Sequence, residues 1–121
     1  RKIPWLNEKT GSGQWVRYSG AELNGKILGV VGLGAIGRIV AQYGKAFGMT
    51  VLAYDPYIDK DYCEKENFEV SGLSTLLAQA DVITLHVPLL PETRHMINED
   101  AFAGMKQGAF LVNTARRGLI D

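Results

Sequence analysis

The sequence has little of what would sort it at once into a special class. It holds one cysteine, Cys63, among 121 residues, which excludes an internal disulfide framework and fits a reduced, cytoplasmic setting. Neither sign of charge prevails. Thirteen basic residues stand against thirteen acidic ones, so no overall field points to nucleic acid or a membrane surface. No apolar run approaches the roughly 20 residues a membrane-spanning helix needs, and no basic segment followed by an apolar one opens the chain. These absences lead to the expectation of a soluble intracellular protein with no nucleic-acid, membrane or metal partner. With 46% hydrophobic residues, the chain can bury one core and is too short for two ordinary domains.

Residues 1–24 show no sustained period. Trp5 and Trp15 are mixed with Gly11, Ser12 and Gly13, and the stretch reads as an arm or linker. Residues 25–121 read as one domain. Ile27-Leu28-Gly29-Val30-Val31 and Thr50-Val51-Leu52-Ala53-Tyr54 are short apolar runs, as in strands buried on both faces. Between them, apolar residues recur at helical spacing at Ile36, Val40, Tyr43 and Phe47, and Gly48 stands where a helix commonly closes. Residues 57–71 leave room for a short helix and a short strand near Phe68–Val70. Ser74 can cap a helix carrying Leu76 and Leu77. Val82–Leu85 reads as a strand, Asn98 as the cap of a brief helix with Phe102 and Met105 that ends at Gly108, and Ala109–Val112 as a last strand. Strands alternating with helices imply a parallel α/β sheet with helices on both faces.

Gly32-Leu33-Gly34-Ala35-Ile36-Gly37 follows a strand and opens a helix, and Asp55 ends the next strand eighteen residues after Gly37. A lone G-x-G-x-x-G is weak, but this context matches a dinucleotide-binding Rossmann turn. Gly32 permits the tight turn, Gly34 lets a pyrophosphate approach the backbone, and Gly37 lets helix and strand pack closely. The amides near Ala35 and Ile36 then face the phosphates. Asp55, followed by Pro56, can accept from the adenosine ribose hydroxyls or serve as a solvated turn residue. Against a 2′-phosphate at about 4 Å it would cost roughly 4 kcal/mol at an effective dielectric near 20, which favours NAD over NADP. Arg38 complicates this, since a guanidinium there could touch the cofactor phosphates. Two further blocks, His86-Val87-Pro88 and Asn113-Thr114-Ala115-Arg116, follow strands of their own and so fall at the carboxyl edge of the sheet, where ligands of such sheets bind.

Taken in order, Gly-Leu-Gly-Ala-Ile-Gly, Tyr-Asp-Pro-Tyr, His-Val-Pro-Leu-Leu-Pro-Glu-Thr and Val-Asn-Thr-Ala-Arg resemble the D-isomer-specific 2-hydroxyacid dehydrogenases. That family includes phosphoglycerate, glyoxylate/hydroxypyruvate and D-lactate dehydrogenases, and the resemblance runs from about Gln14 to Asp121. It implies a doubly wound Rossmann domain incomplete at its C-terminal side, with the separate substrate domain elsewhere, and hydride exchange between NAD(H) and a 2-hydroxy or 2-oxo acid. It implies that Arg116 is the catalytic arginine that holds the substrate carboxylate. A guanidinium suits that task as a rigid fork, although an arginine after a strand, taken alone, is more often a surface residue. His86, Val87 and Pro88 are implied to lie beside the cofactor, the acid/base histidine of the family coming later in the chain; the imidazole alone could be structural. Thr93, Thr114 and Ala115 are similar to positions near the pyrophosphate or nicotinamide. The family's glutamate and histidine fall beyond Asp121, so this stretch by itself is expected to lack turnover, and its uncovered surfaces point to a homodimer. Corepressors of the C-terminal-binding-protein type, which use NAD to control assembly, carry the same motifs and are the alternative function. One departure stands out: Arg117 occupies the place where the family has glycine, and would be strained if that position needed a positive φ.

Overall fold

The computed structural model describes residues 2–121. Five strands, β1 (Ile27–Val31), β2 (Thr50–Tyr54), β3 (Glu69–Val70), β4 (Val82–Leu85) and β5 (Phe110–Asn113), form a sheet in the order β3-β2-β1-β4-β5. Every adjacent pair is parallel. The sequence therefore starts in the middle of the sheet, builds outward to β3, crosses back and builds outward again to β5. This is the order of a doubly wound nucleotide-binding sheet, and its reversal lies between β1 and β4. Parallel strands with helices on both faces are buried on both sides. Val30, Val31, Ala53, Ile83 and Leu85 accordingly have at most trace exposure.

Two apolar clusters lie on the two faces. One gathers Leu28, Val30, Ala41, Val51, Cys63 and Phe68 under helices α2 (Ala35–Ala46) and α3 (Lys60–Glu66). The other gathers Val31, Leu52, Ile83 and Leu85 with Leu76 and Leu77 of helix α4 (Leu73–Gln79) and with Ile97 and Leu119. A short helix, α5 (Glu99–Ala103), leads toward β5, its Asn98 cap accepting from the Ala101 amide at 3.0 Å. At the opposite edge of the sheet from the strand ends that matter below, Asp81 accepts from the Ile27 amide at 2.8 Å and from Lys106 at 3.1 Å. These two partners, the amide first, hold its carboxyl below the ordinary carboxylate range.

Three local expectations need correction, and the stretch read as an arm holds a helix that the sequence did not mark. Residues 3–11 are helical (α1, Ile3–Gly11), with Pro4 in the first turn, where its missing N–H costs nothing. That helix buries no residue, so no apolar period marked it. In α2 only Val40 of the expected apolar stripe packs against the core. Ile36, Tyr43 and Phe47 are exposed, and Gly37, Ala41 and Gly44 turn to the sheet. The cause is proximity: a Cβ at Gly37 would run into the Gly32 carbonyl oxygen, and one at Gly44 into Leu28. Small residues let this helix lie close to β1. Helix α4 is capped by Gly72, with Ser74 already inside its first turn. Helix α5 stops at Ala103, before Met105, and Gly108 (φ +81°) belongs to the turn that enters β5.

Candidate functional site

Four strand ends build the site. After β1, Gly32 takes φ +95° and its amide donates to the Tyr54 carbonyl at 2.7 Å. A Cβ there would stand 2.8 Å from the His86 carbonyl carbon and the Val87 nitrogen, so the glycine turn lies directly against the loop that follows β4. The His86 amide ties the same junction by donating to Val31 at 2.7 Å. Gly34 differs from its neighbours. It caps α2 in extended conformation, and a Cβ on it would meet nothing within 4 Å. Open space at Gly34 is what a pyrophosphate needs, and the amides of Ala35, Ile36 and Gly37 begin a twelve-residue helix there, with no partner in a preceding turn and with the positive end of the helix dipole behind them. The local shape fits a dinucleotide.

After β2, Asp55 is fixed by two backbone donors: the Leu33 amide reaches Oδ2 and the Tyr57 amide reaches Oδ1, each at 2.8 Å. The carboxylate is thus held against the glycine turn and retains lone pairs for a ribose. Pro56 is exposed in the turn beside it. Arg38 is already engaged: Nε donates to the Leu33 carbonyl at 3.2 Å, Nη2 pairs with Asp59 at 2.9 Å, and the guanidinium lies 4.1 Å over the Tyr62 ring.

After β4, the ring Nε2 of His86 lies 2.9 Å from the Thr84 hydroxyl. Burial pushes its pKa down, which leaves a neutral imidazole at neutral pH. At the end of β5, Asn113 folds back on the loop. Its side-chain Oδ1 accepts from the Ala115 amide at 3.0 Å and its Nδ2 donates to the Arg116 carbonyl at 2.9 Å. Arg117 then opens a single 3-10 turn, Arg117–Leu119. Among the described residues only Asn67 and His95 are non-glycine positions with positive φ. The strain expected at Arg117 is therefore absent, because this loop turns through a 3-10 bend that any residue accepts. Leu119, fully buried, pins the loop to the core, and the amide of Ile97 donates to its carbonyl at 3.0 Å.

A cavity of about 640 Å³ joins these pieces: Ile36 from the glycine turn, His86 to Pro88 from the β4 loop, and Thr114 to Arg116 from the β5 loop. A second cavity, of about 840 Å³, shares Thr114 to Arg116 and adds Arg94, His95 and Arg117. The glycine turn and the arginine loop therefore open on the same side of the sheet and share one hollow. Asp55 and Pro56 lie outside both cavities, at the β2 end of the same edge. Thr93 lies apart. It lines neither cavity, and its hydroxyl donates to the Pro88 carbonyl at 2.7 Å while accepting from the Leu90 amide at 2.8 Å. In this arrangement it braces the proline loop. Two residues stand inside the motif blocks with no role assigned from sequence: Asn113, which shapes the arginine loop, and Leu33, whose amide orients Asp55. The first had a signal, since asparagine just past a strand commonly bonds its own backbone two residues on. The second had none, because any residue can offer an amide.

Over residues 1–121 the chain matches the family described as D-isomer specific 2-hydroxyacid dehydrogenase, NAD binding domain. It is 49% identical to a D-3-phosphoglycerate dehydrogenase of Methanocaldococcus jannaschii, covering all of this chain and 24% of that protein. It is 46% identical to a D-lactate dehydrogenase of Lactiplantibacillus pentosus, covering all of this chain and 37% of that one. Among solved structures, the D-lactate dehydrogenase of Aquifex aeolicus complexed with NAD and lactic acid superposes with a TM-score of 0.89 at 42% identity, over 99% of this chain and 37% of that one. The apo D-lactate dehydrogenase of Escherichia coli gives 0.90 at 40% identity, over all of this chain and 39% of that one. The chain thus spans between about a quarter and two fifths of these relatives. It belongs to the D-isomer-specific 2-hydroxyacid dehydrogenase family, as the NAD-binding domain.

Proposed function

We propose that this chain seats NAD along the carboxyl ends of β2, β1 and β4 and presents Arg116 to a 2-hydroxy or 2-oxo acid, as the cofactor half of a dehydrogenase. The observation that carries this reading is the shared hollow linking Ile36 of the glycine turn to Arg116. When bound, the cofactor supplies the hydride-exchanging carbon. The chain's own residues do the rest of the work proposed here. Asp55 accepts from the ribose, and the Ala35, Ile36 and Gly37 amides face the pyrophosphate. Ile36, Val87 and Pro88 form an apolar wall that excludes water from the reacting end. Arg116 pairs through its fork with the acid's carboxylate. Thr114 and Ala115 line the same hollow, and Thr93 acts through the loop it braces. The neutral His86 is proposed to pack beside the cofactor and not to exchange the substrate's proton.

Calorimetric titration of this chain with NAD and NADP tests the reading. NAD is expected to bind at least a hundredfold more tightly, because a 2′-phosphate beside Asp55 sets two like charges within a few ångströms. Equal affinities would sink the selectivity, and uptake of neither would sink the reading.

The proposed partner in assembly is a second copy of the chain. Ile39, Tyr43 and Phe47, spaced four residues apart along α2 and its C-cap, form a stripe in which each is more than half exposed, and a twofold axis would let such a stripe cover itself. Sedimentation equilibrium is expected to show a dimer that Tyr43→Glu converts to monomer; a monomeric wild type at tens of micromolar would refute it.

A further inference from the structure

A hydrogen-bonded chain runs away from the ribose acid toward helix α3. Asp55 Oδ2 accepts from the Leu33 amide at 2.8 Å, the Leu33 carbonyl accepts from Arg38 Nε at 3.2 Å, and Arg38 Nη2 meets Asp59 Oδ2 at 2.9 Å. One residue of backbone, Leu33, thus separates the carboxylate proposed to hold the ribose from a guanidinium. A phosphate ester on that ribose would emerge within reach of Arg38, and a guanidinium is the side chain best shaped to take it. Left free, Arg38 would work against the selectivity that Asp55 provides.

Arg38 is not free. Its plane lies 4.1 Å over the Tyr62 ring and its charge is met by Asp59, whose other oxygen accepts from the Tyr62 amide at 3.0 Å as the cap of α3. The two side chains keep 38% and 45% of their surface in water. Exposed pairs of this kind add little to stability, so position is what distinguishes this one. The Tyr62 amide and the Arg38 guanidinium hold the Asp59 carboxyl below its ordinary range, which keeps the clamp charged.

We propose that Asp59 is a specificity-determining residue: by holding the Arg38 guanidinium it denies a cofactor 2′-phosphate its cation, and so sharpens the preference for NAD. The inference rests on the proposed seating of NAD at Asp55 and adds to it a residue outside the recognised motifs.

Asp59→Asn separates charge from capping, because asparagine caps a helix as well as aspartate does. Titration calorimetry with NAD and NADP on wild type, D59N, R38A and the double variant reads the result. D59N is expected to raise NADP affinity about tenfold and to leave NAD within twofold. With Arg38→Ala in place, the same change is expected to raise NADP affinity less than threefold. Asp59→Ser, another neutral capping residue, must reproduce the gain, which guards against a folding defect in D59N. NAD and NADP rising together in D59N, or a gain that survives without Arg38, overturns the clamp while leaving the NAD reading intact. A wild type that takes up neither dinucleotide overturns both.

Discussion

Alanine at Gly32 is expected to cost about 3 kcal/mol of stability, whereas alanine at Gly34, two residues on, leaves the fold almost untouched and weakens NAD binding at least tenfold. Gly32 holds φ +95°, a conformation that costs an L-residue about 1–2 kcal/mol. Its new methyl would also press on the His86–Val87 peptide at 2.8 Å, backbone that cannot swing aside, and overpacking of this kind costs about 1–3 kcal/mol more. Thermal unfolding followed by circular dichroism should fall by roughly 10 °C. At Gly34 φ is −75° in extended backbone, and a methyl meets nothing within 4 Å. The change in stability should stay below about 1 kcal/mol, the scale of a substitution at a helix cap. The methyl would instead stand where the phosphates must approach, and NAD affinity should fall at least tenfold. A Gly34→Ala chain that binds NAD like wild type would show that the phosphates lie elsewhere.

Leu119→Ala is the second large effect. Leu119 is fully buried and packs in the cluster that holds Leu85, Val87 and Ile97, yet it closes the 3-10 turn that Arg117 opens directly after Arg116. Removing its side chain should cost about 3 kcal/mol, within the range for large-to-small changes in a core. The loss is expected to be local as well as global. The amide of Ile97 donates to the Leu119 carbonyl and the amide of Asp121 to the Ile97 carbonyl, each at 3.0 Å. Both should exchange with solvent much faster in the variant, since this ladder, together with the His95 amide that donates to the Gly118 carbonyl at 2.9 Å, ties the arginine loop to the segment after β4. Urea unfolding gives the first quantity and amide hydrogen exchange the second. Unchanged protection at Ile97 would mean that the loop is held by something other than its leucine.

Most of the sheet was legible in the sequence because its longer strands are short apolar runs followed by an abrupt change of chemistry, as at Val31-Gly32, Tyr54-Asp55 and Leu85-His86. A doubly wound sheet gathers such breaks at one edge, so the clustering of the site blocks could be anticipated from topology alone. What stayed hidden depends on distances that no pattern encodes. The α2 stripe Ile36–Tyr43–Phe47 has helical spacing, but the approach of the helix to β1 demands Gly37, Ala41 and Gly44 on the inner face. Helix α1 buries nothing and so left no period. Thr93 belongs to the His-Val-Pro-Leu-Leu-Pro-Glu-Thr block, and nothing in that pattern shows that its hydroxyl bonds Pro88 and Leu90. Arg117 could be judged only from the turn it opens. Arg38 was noticed as a cation near the phosphates, and its pairing with a residue twenty-one positions away could not be foreseen.

The grip of two main-chain amides on Asp55 has a kinetic consequence. A side chain fixed before any ligand arrives surrenders no rotamer freedom on association, so capture need not wait for a conformational search. Discrimination between dinucleotides should then be written in how long each one stays, with closely similar rates of arrival.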